Sequence, residues 1–303
     1  MPVHRKYKNK QVAIYGMGKT GLSAAKILRE TKAKIFCWDD NIKIRRKIAN
    51  KKYPFNKFWL KKTLIDTIVI SPGIDINKCK LKNYLKKNIS KIVTDIDLFF
   101  EFNKKSLIIS ITGTNGKSTT CKMVEKILKT AKYNVKTAGN IGDPILSANN
   151  LKKKDAFILE VSSYQLQYSK LFRSNHAAIL NVSPDHLERH KSMSEYTRTK
   201  SKIFFAQSKF DFSYINYRNK YSKNIKKIFK SKKIKSKLIF IKDFKHNSFL
   251  KKINNRYFKS KGNIENLAFA YQIAKNLKIK DKTIFEAIKD FKGLPHRQET
   301  VLS

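Results

Sequence analysis

The sequence predicts an α/β protein with two parallel sheets, and three observations support this class. Short apolar runs of strand length alternate with helical patterns along the 303 residues. Two of these runs lead directly into glycine-rich turns that open a helix. Hydrophobic residues make up 41% of the chain and aromatic residues 12%, which is enough for two buried cores and argues against disorder.

The first predicted domain covers residues 1–94 and forms a small Rossmann-like sheet. Its predicted elements are strands at 11–15, 34–38 and 67–70 and a helix at 22–29. The first strand leads into the turn Gly16-Met-Gly-Lys-Thr-Gly21. Strands separated by a helix and by turn residues favour parallel pairing.

The second predicted domain covers residues 95–297 and is of the P-loop type, with 298–303 as the stub of a further domain. Its predicted elements are strands at 107–111, 156–159, 177–180 and 237–241 and helices at 119–130, 263–277 and 282–291. The helix at 119–130 places four apolar residues on one face, namely Met123, Val124, Ile127 and Leu128. Residues 207–258 carry little functional signal.

Lysine and arginine number 67 against 22 acidic residues, so the net charge is +45. A field of this size attracts nucleic acid, acidic membranes and anionic small molecules. The lysines are scattered through every segment and do not gather beside aromatic residues. We therefore favour a compositional bias over a specific nucleic-acid function. Weak, salt-sensitive and non-specific nucleic-acid binding is still expected.

The three cysteines, Cys37, Cys79 and Cys121, lie far apart and lack metal-binding spacing. This usage fits a reducing compartment. No apolar stretch approaches the roughly 20 residues of a membrane helix, and the apolar run after the basic N-terminus is too short for a signal peptide. We expect a cytoplasmic protein without membrane insertion.

The strongest single motif is the run Gly113-Thr114-Asn115-Gly116-Lys117-Ser118-Thr119. Glycines allow backbone N–H groups to approach phosphate oxygens, and the start of the following helix adds its dipole. Lys117 can neutralise β- and γ-phosphate charge, and the hydroxyl of Ser118 or Thr119 can bind Mg²⁺. Ile111 stands where the usual P-loop has its first glycine. We predict a phosphate-binding loop, against the alternative of a coincidental turn.

Two further polar sites follow later strands, with Glu160 after 156–159 and Asp185-His186 after 177–180. Open α/β sheets bind ligands at the carboxyl ends of their strands. A set of oxygen ligands together with one nitrogen ligand suits the Mg²⁺ ion that accompanies a bound nucleotide. Each residue taken alone has a more ordinary interpretation, Glu160 as a solvated turn residue and His186 as a structural histidine. The glycine loop on a neighbouring strand favours a metal site.

The glycine turn at 16–21 precedes a helix, and Asp39 ends the next strand. This arrangement suits a diphosphate at the helix start and a ribose hydroxyl at the carboxylate. The motif is weak alone, since a tight strand–helix turn explains it and a nicotinamide-dependent oxidoreductase is a rival. Because the second domain has its own triphosphate loop, we favour a different nucleotide in the first.

Eight short blocks occur in chain order: 16–23 (GMGKTGLS), 71–74 (SPGI), 95–99 (DIDLF), 111–118 (ITGTNGKS), 139–142 (GNIG), 159–165 (LEVSSYQ), 181–186 (NVSPDH) and 293–297 (GLPHR). Together they resemble the Mur ligases of peptidoglycan synthesis. The resemblance covers essentially the whole chain, and the order of the blocks is far more specific than any one of them. The blocks at 71–74 and 293–297 indicate the branch of the family that adds D-glutamate.

The resemblance implies roles for individual residues. The implied contacts of a UDP-linked substrate are Lys19, Thr20, Asp39, Ser71, Pro72, Gly73, Asn140 and Ser162. The implied contacts of ATP are the run Gly113 to Thr119 with Asn263, Asn266 and Arg297. The implied Mg²⁺ ligands are Ser118, Glu160, His186 and Lys200 as a carbamate, and the implied catalytic residues are Lys117, His186 and Lys200. A carbamate suits this position because an ammonium group repels the metal.

The resemblance also implies the activity, that of an ATP-dependent acid–D-amino-acid ligase acting as a monomer in cell-wall synthesis, cell shape and division. It would add D-glutamate to UDP-N-acetylmuramoyl-L-alanine through an acyl phosphate. Two departures are visible: Gly262 replaces the family's histidine before Asn263, and the family's third domain after 293–297 does not follow. We expect a truncated, catalytically incomplete chain. A non-catalytic nucleotide-binding module and an NAD-dependent oxidoreductase remain the alternatives.

Overall fold

Two sheets of parallel strands form the framework of the chain, as predicted. The computed structural model describes residues 6–49, 53, 55–60, 64–139, 144–146, 156–242, 244 and 247–294. The chain divides into two compact units, the first from 1–105, 142–152 and 163–172, and the second from 106–141, 153–162 and 173–303. The division between residues 94 and 95 stays a prediction, and the helix that begins at Asp95 lies within the first unit.

The strands are β1 (Gln11–Tyr15), β2 (Lys34–Trp38), β3 (Thr67–Ile70), β4 (Ile92–Val93), β5 (Leu107–Thr112), β6 (Val135–Gly139), β7 (Ala156–Glu160), β8 (His176–Ile179), β9 (Phe212–Asn216) and β10 (Lys237–Ile241). The α-helices are α1 (Lys19–Glu30), α2 (Ile42–Ala49), α3 (Lys82–Lys87), α4 (Asp95–Phe102), α5 (Lys117–Thr130), α6 (Ser163–Gln167), α7 (Leu187–His190), α8 (Met193–Ser201), α9 (Ser222–Ser231), α10 (Ser248–Lys251), α11 (Lys261–Asn276) and α12 (Asp281–Ile288). Short 3-10 turns cover Phe58–Leu60, Ile89–Lys91, Lys202–Phe204 and Arg256–Lys259.

The first unit contains a four-stranded sheet of order β2-β1-β3-β4, in which each neighbouring pair is parallel. β1, β2 and β3 have the predicted bounds. β1 lies inside the sheet with Val12 to Tyr15 fully buried, because both of its faces are covered. Helix α1 begins at Lys19, so Lys19 and Thr20 lie in its first turn and not in the preceding loop. Apolar periodicity misses these two residues because both are polar.

Two buried carboxylates at the start of α4 hold residues 163–172 within the first unit. Asp95 accepts a hydrogen bond from Gln165 Nε2 at 2.8 Å, and burial raises the pKa of Asp95 to about 6. Asp97 accepts several hydrogen bonds from the same segment. Its donors there are the Ser169 hydroxyl at 2.6 Å and the amides of Lys170 at 3.1 Å and of Leu171 and Phe172, both at 2.9 Å. The acidic residues of the block 95–99 therefore have a structural task.

The second unit contains a six-stranded parallel sheet of order β10-β9-β8-β5-β7-β6. Helix α5 follows β5 and packs with α11 and α12 in one apolar core. The four residues predicted on the inner face of α5 are buried, as are Leu267 and Ile273 of α11. α5 begins at Lys117, two residues before its predicted start, so Lys117 and Ser118 belong to the first helical turn.

Several elements of the second unit were not predicted, among them β6, β9, α8 and α9. β6 has the sequence VKTAG and no apolar run, and only Ala138 in it is buried. α9 is rich in lysine, and its buried apolar residues are only Ile225 and Phe229. The parallel partners of β6 and β9 supply the hydrogen bonds that fix these strands, which a single-segment pattern does not contain.

The three cysteines are free. Burial raises the pKa of Cys37 to about 12, so this thiol stays protonated near neutral pH and is expected to be unreactive. Within the ranges that the structure describes, no helix has both the length and the apolar character needed to cross a bilayer.

Replacing Asp97 tests the anchoring of residues 163–172. We expect Asp97→Ala to lower the free energy of unfolding of the first unit by about 3 kcal/mol, because several buried N–H and O–H donors lose a charged acceptor. Urea unfolding of the variant measures this change. Asp290→Ala, at an exposed aspartate, is the control and should change stability by less than about 0.5 kcal/mol. Equal effects of the two changes would refute the anchoring.

Candidate functional site

The glycine loop, residues 113–116, connects β5 to α5 at the carboxyl edge of the second sheet. β5 lies between β8 and β7, so the carboxyl ends of three parallel strands are neighbours there. Glu160 is the last residue of β7 and pairs in register with Ile111 of β5. Residues 181–186 follow β8 on the other side. The structure therefore places the glycine loop between the two other predicted polar sites.

Gly116 ends the glycine loop in a conformation that requires glycine. Its φ of +81° lies in the left-handed region, and a Cβ at this position would lie 2.3 Å from Oδ1 of Asn266. This close approach brings Asn266 of α11 directly against the loop. The 14-residue helix α5 starts at the next residue, so the positive end of its dipole lies at the loop. Such a helix start favours anions.

Two lysines converge on one carbonyl group of the loop. The Nζ of Lys117 donates to the carbonyl oxygens of Gly113 at 3.0 Å and Thr114 at 2.8 Å. The Nζ of Lys200 donates to the same Gly113 oxygen at 2.9 Å, although Lys200 is only 2% exposed. The Lys200 ammonium also lies 4.5 Å from the centre of the Tyr196 ring. Two cationic side chains are thus held together at the start of α5.

This crowding changes the protonation of Lys200. Burial and then the positive charge of Lys117 lower the pKa of Lys200 to about 7, while the charge of Asp185 opposes the shift. A substantial fraction of Lys200 is therefore a neutral amine at neutral pH. A neutral amine is the form that can react with carbon dioxide to give a carbamate, so the environment suits the modification that the resemblance implies.

His186 lies at the start of the short helix α7. Its φ of +54° is unusual for a residue with a side chain, and such strained residues cluster at functional sites. Its Nε2 lies 3.3 Å from Oδ2 of Asp185. Burial, followed by the charge of Lys200 and then those of Arg189 and His186, lowers the pKa of His190 to about 4. His190 is therefore neutral near pH 7.

Glu160 shares an electrostatic environment with Lys117. Burial raises the pKa of Cys121 well above its ordinary value; the charge of Glu160 raises it further and that of Lys117 lowers it. Both side chains therefore lie close enough to act on the same thiol. Glu160 is buried. The structure thus brings Glu160 to the same end of the sheet as the glycine loop.

Two of the remaining predicted ATP contacts, Asn263 and Asn266, lie in the first part of α11. Asn263 is buried there, and its Nδ2 donates to the carbonyl oxygen of Tyr257 at 2.8 Å. Asn263 lines a cavity of about 760 Å³ together with Tyr257, Phe291 and several basic residues. Arg297 lies outside the described residues.

In the first unit, the glycine turn at 16–21 is held by side chains from neighbouring strand ends. The Ser71 hydroxyl donates to the Gly16 carbonyl at 2.6 Å, and Oδ2 of Asp39 accepts from the Met17 amide at 2.7 Å. A Cβ on Gly21 would lie 1.9 Å from the Gly16 oxygen, so only glycine fits there. Lys19 and Thr20 belong to this run and form the first turn of α1.

The other predicted contacts of a UDP-linked substrate have different positions. Pro72 and Gly73 follow Ser71 just after β3, at the same sheet edge as the glycine turn. Ser162 belongs to the second unit, two residues after the end of β7. Asn140 lies outside the described residues.

Among the described residues, no group of three or more His, Cys, Asp or Glu side chains is arranged to hold a metal ion. The predicted Mg²⁺ set contains only two such residues, Glu160 and His186, and its other members are a serine and a lysine carbamate. A carboxylate, a hydroxyl, a carbamate and one imidazole are mostly hard oxygen donors. The chemical types of these donors therefore fit Mg²⁺.

Two residues near the glycine loop, Asn181 and Tyr196, had no assigned role in the sequence. Asn181, immediately after the predicted strand 177–180, hydrogen bonds to the loop. The ring of Tyr196 contacts the ammonium group of Lys200. A polar residue directly after a buried strand is the signal that could have identified Asn181. Tyr196 carries no comparable signal, because its position depends on the packing of α8.

A glycine loop at the start of a helix, flanked by polar strand ends of a parallel sheet, defines the second unit as a P-loop-type α/β domain. A family model described as Mur ligase middle domain matches residues 111–282, and one described as Mur ligase MurD-like, N-terminal domain matches residues 10–93. The chain belongs to the Mur ligase family, which confirms the resemblance seen in the sequence.

The similar proteins support this assignment. The UDP-N-acetylmuramoylalanine–D-glutamate ligase of Rickettsia bellii is 37% identical over 320 residues, covering 99% of this chain and 69% of that protein. The corresponding ligase of Rickettsia prowazekii is 33% identical, and the match covers 97% of this chain and 69% of that protein.

Solved structures show the same fold at low identity. The UDP-N-acetylmuramate:L-alanyl-gamma-D-glutamyl-meso-diaminopimelate ligase from Neisseria meningitides aligns with a TM-score of 0.59 at 13% identity, covering 94% of this chain and 99% of that chain. The UDP-N-acetylmuramate-alanine ligase from Thermotoga maritima aligns with a TM-score of 0.53 at 15% identity. This alignment covers 96% of this chain and 71% of that chain.

The low pKa of Lys200 predicts a pH dependence of stability. Above a pH of about 7 the folded chain has released the Lys200 proton, whereas the unfolded chain holds it up to a pKa of 10.5. Unfolding then takes up a proton, so this lysine makes the free energy of unfolding rise with pH by at most roughly 1.4 kcal/mol per unit.

Urea unfolding of the wild type and of Lys200→Met between pH 7.5 and 9 measures this contribution as the difference in slope. The free energy of unfolding of the wild type should rise more steeply with pH than that of Lys200→Met. Lys227→Met, at an exposed lysine of the same unit, is the matched control and should keep the wild-type slope. Identical slopes for wild type and Lys200→Met would exclude a depressed pKa at this lysine.

Proposed function

We propose that this chain is an ATP-dependent amide ligase that joins D-glutamate to UDP-N-acetylmuramoyl-L-alanine in peptidoglycan precursor synthesis. The observation that carries the proposal is the convergence of Lys117 and Lys200 on the Gly113 carbonyl at the start of α5. Relatives with this activity in their names match almost the whole chain. We place the reaction in the cytoplasm, because it consumes ATP.

The start of α5 is suited to the phosphates of ATP. The first N–H groups of the helix, the helix dipole and the Lys117 ammonium all favour negative charge there. Asn266 lies against Gly116 and is proposed to contact the nucleotide at the same place. The cavity beside Asn263 has room for the nucleoside, and Arg297 is proposed as a further contact.

Mg²⁺, when bound, offsets the negative charge of the phosphates and of the transferred phosphoryl group. The residues proposed to hold it are Ser118, Glu160, His186 and Lys200 as a carbamate. The low pKa of Lys200 supports this choice, because a permanently charged ammonium would oppose a divalent cation. Asp185 beside His186 restrains the imidazole in a defined orientation.

The proposed reaction has two steps. First, an oxygen of the substrate carboxylate bonds to the γ-phosphorus of ATP while the bond to the ADP oxygen breaks, which gives an acyl phosphate and ADP. Then the amine of D-glutamate bonds to the acyl carbon, phosphate leaves and the amine loses a proton. Lys117 stabilises the charge on the transferred group, and the loop positions it.

The first unit is proposed to bind the UDP group. The turn at 16–21 leads into α1, so its geometry suits a diphosphate at the start of that helix. Lys19 supplies a cation there, and Thr20 a hydroxyl. Asp39 and Ser71 keep the turn in shape and can accept or donate further hydrogen bonds to the nucleotide. Pro72 and Gly73 are the other proposed contacts of the UDP group, and Asn140 and Ser162 are proposed contacts of the muramoyl part of the substrate.

Binding and trapping experiments test the function. Calorimetry should show binding of Mg·ATP and of UDP-N-acetylmuramoyl-L-alanine, and no binding of NAD. With both ligands present, hydroxylamine should trap the acyl phosphate as a hydroxamate. Adding D-glutamate in place of hydroxylamine, with L-glutamate as the control, tests the second step. A chain that binds NAD but neither ligand is an oxidoreductase and not a ligase.

Lys117→Ala tests the phosphate assignment. We expect the affinity for Mg·ATP to fall at least about tenfold and hydroxamate formation to become undetectable, because the phosphates lose their cationic partner. Lys122→Ala is the matched control on the same helix, since Lys122 is half exposed and pairs with Glu125 at 3.0 Å. The control should keep wild-type affinity and trapping. Wild-type behaviour of Lys117→Ala would remove the assignment.

A further inference from the structure

The side chain of Asn181, two residues after the end of β8, makes three hydrogen bonds to the glycine loop. Its Oδ1 accepts from the amides of Thr114 at 3.1 Å and Asn115 at 2.9 Å. Its Nδ2 donates to the carbonyl oxygen of Asn115 at 3.1 Å. The amide group therefore uses its acceptor and its donor on the same two residues of the loop.

The backbone and the Thr114 side chain add to this connection. The Thr114 amide also lies 3.1 Å from the Asn181 carbonyl oxygen. The Thr114 hydroxyl accepts from the Ser183 amide at 3.1 Å. Residues 114–115 are thus joined to residues 181–183, although about 67 positions separate them in the chain.

These contacts show which backbone N–H groups of the loop serve its own conformation. The N–H groups of Thr114 and Asn115 are directed at Asn181. The positive end of the α5 dipole lies at the next residues, from Lys117 onward, and favours an anion there. The Thr114 and Asn115 amides therefore hold the loop, and the start of α5 is the part suited to a phosphate.

We propose that Asn181 is a positioning residue that holds the glycine loop in its phosphate-binding conformation without touching the phosphates. This inference rests on the proposed function, because it assumes that the loop binds the phosphates of ATP. Pre-organisation of this kind lowers the entropy that binding must otherwise supply. Asn181 should therefore affect nucleotide affinity through the phosphates and not through the nucleoside.

The chain offers a matched control in Asn175, which joins the same two strands at the opposite edge of the sheet. Its Oδ1 accepts from the Ile108 amide at 2.9 Å, at the amino end of β5. Its Nδ2 lies 3.4 Å from Oδ1 of Asp211. Asn175→Ala removes a comparable connection between β8 and β5 far from the glycine loop.

Calorimetry with Mg·ATP, Mg·tripolyphosphate and adenosine separates a positioning role from a structural one. We expect Asn181→Ala to weaken both phosphate ligands by about tenfold or more and to leave adenosine unchanged, because three hydrogen bonds that shape the loop are lost. Asn175→Ala should leave all three affinities at wild-type values, even where thermal unfolding shows that both variants are equally destabilised.

The two possible failures are distinguishable. Wild-type chain that binds neither Mg·ATP nor Mg·tripolyphosphate overturns the proposed function and this inference with it. Wild type that binds both, with Asn181→Ala binding equally well, overturns the positioning role alone. Equal losses in Asn175→Ala and Asn181→Ala also overturn it, because the effect would then follow stability.

Amide hydrogen exchange on the wild type provides a test that requires no variant to fold. The Thr114 and Asn115 amides should be protected without nucleotide and should change little when Mg·ATP binds. Amides at the start of α5 should gain protection when Mg·ATP binds. Thr114 and Asn115 amides that exchange freely in the unliganded chain, and become protected by nucleotide, would mean that they bind phosphate and that Asn181 does not hold them.

Discussion

The parallel pairing of β5 with both β7 and β8 is the constraint on which the candidate site depends. Parallel strands all end at one edge of a sheet, so the residues that follow them become neighbours whatever their separation in sequence. The glycine loop follows β5, Glu160 ends β7, and Asn181 follows β8. A change of strand order would disperse these groups while leaving every local motif intact.

Electrostatics at the start of α5 set the chemistry that this edge can perform. Lys117 and Lys200 share the Gly113 carbonyl, and the helix dipole adds positive potential at the same place. Burying Lys200 costs stability, which is why its pKa falls to about 7. Groups with strongly shifted pKa values are concentrated at functional sites, where a ligand can offset the cost. Much of the charge of +45 lies elsewhere and needs no ligand of its own.

The two units solve the same structural problem in the same way. Each has a glycine turn between a strand and a helix, and in each a side chain from a neighbouring strand end fixes the turn. Asp39 and Ser71 do so in the first unit, and Asn181 in the second. A glycine turn is flexible by composition, so its binding conformation has to be stabilised by groups outside it.

Local pattern was enough to predict the main strands and the helix after each glycine turn. The family was indicated by the resemblance of the motif blocks in chain order. β1, β2, β3 and β10 have the predicted bounds, because apolar and β-branched runs are signals contained in one segment. β6 and β9 escaped prediction, because they are stabilised by partners that are distant in sequence. The helix starts were placed too late, because the polar residues of a first turn lack apolar periodicity.

The sequence by itself therefore determined the fold class, the order of the motifs and the residue types that can bind phosphate. Only the tertiary structure decided which of those groups lie together at the start of α5 and which are used to hold the loop. It directed the Thr114 and Asn115 amides to Asn181, and it buried Lys200 beside Lys117. The physical reason is that hydrogen-bond partners and pKa values depend on through-space neighbours, and these are set by strand order and helix packing.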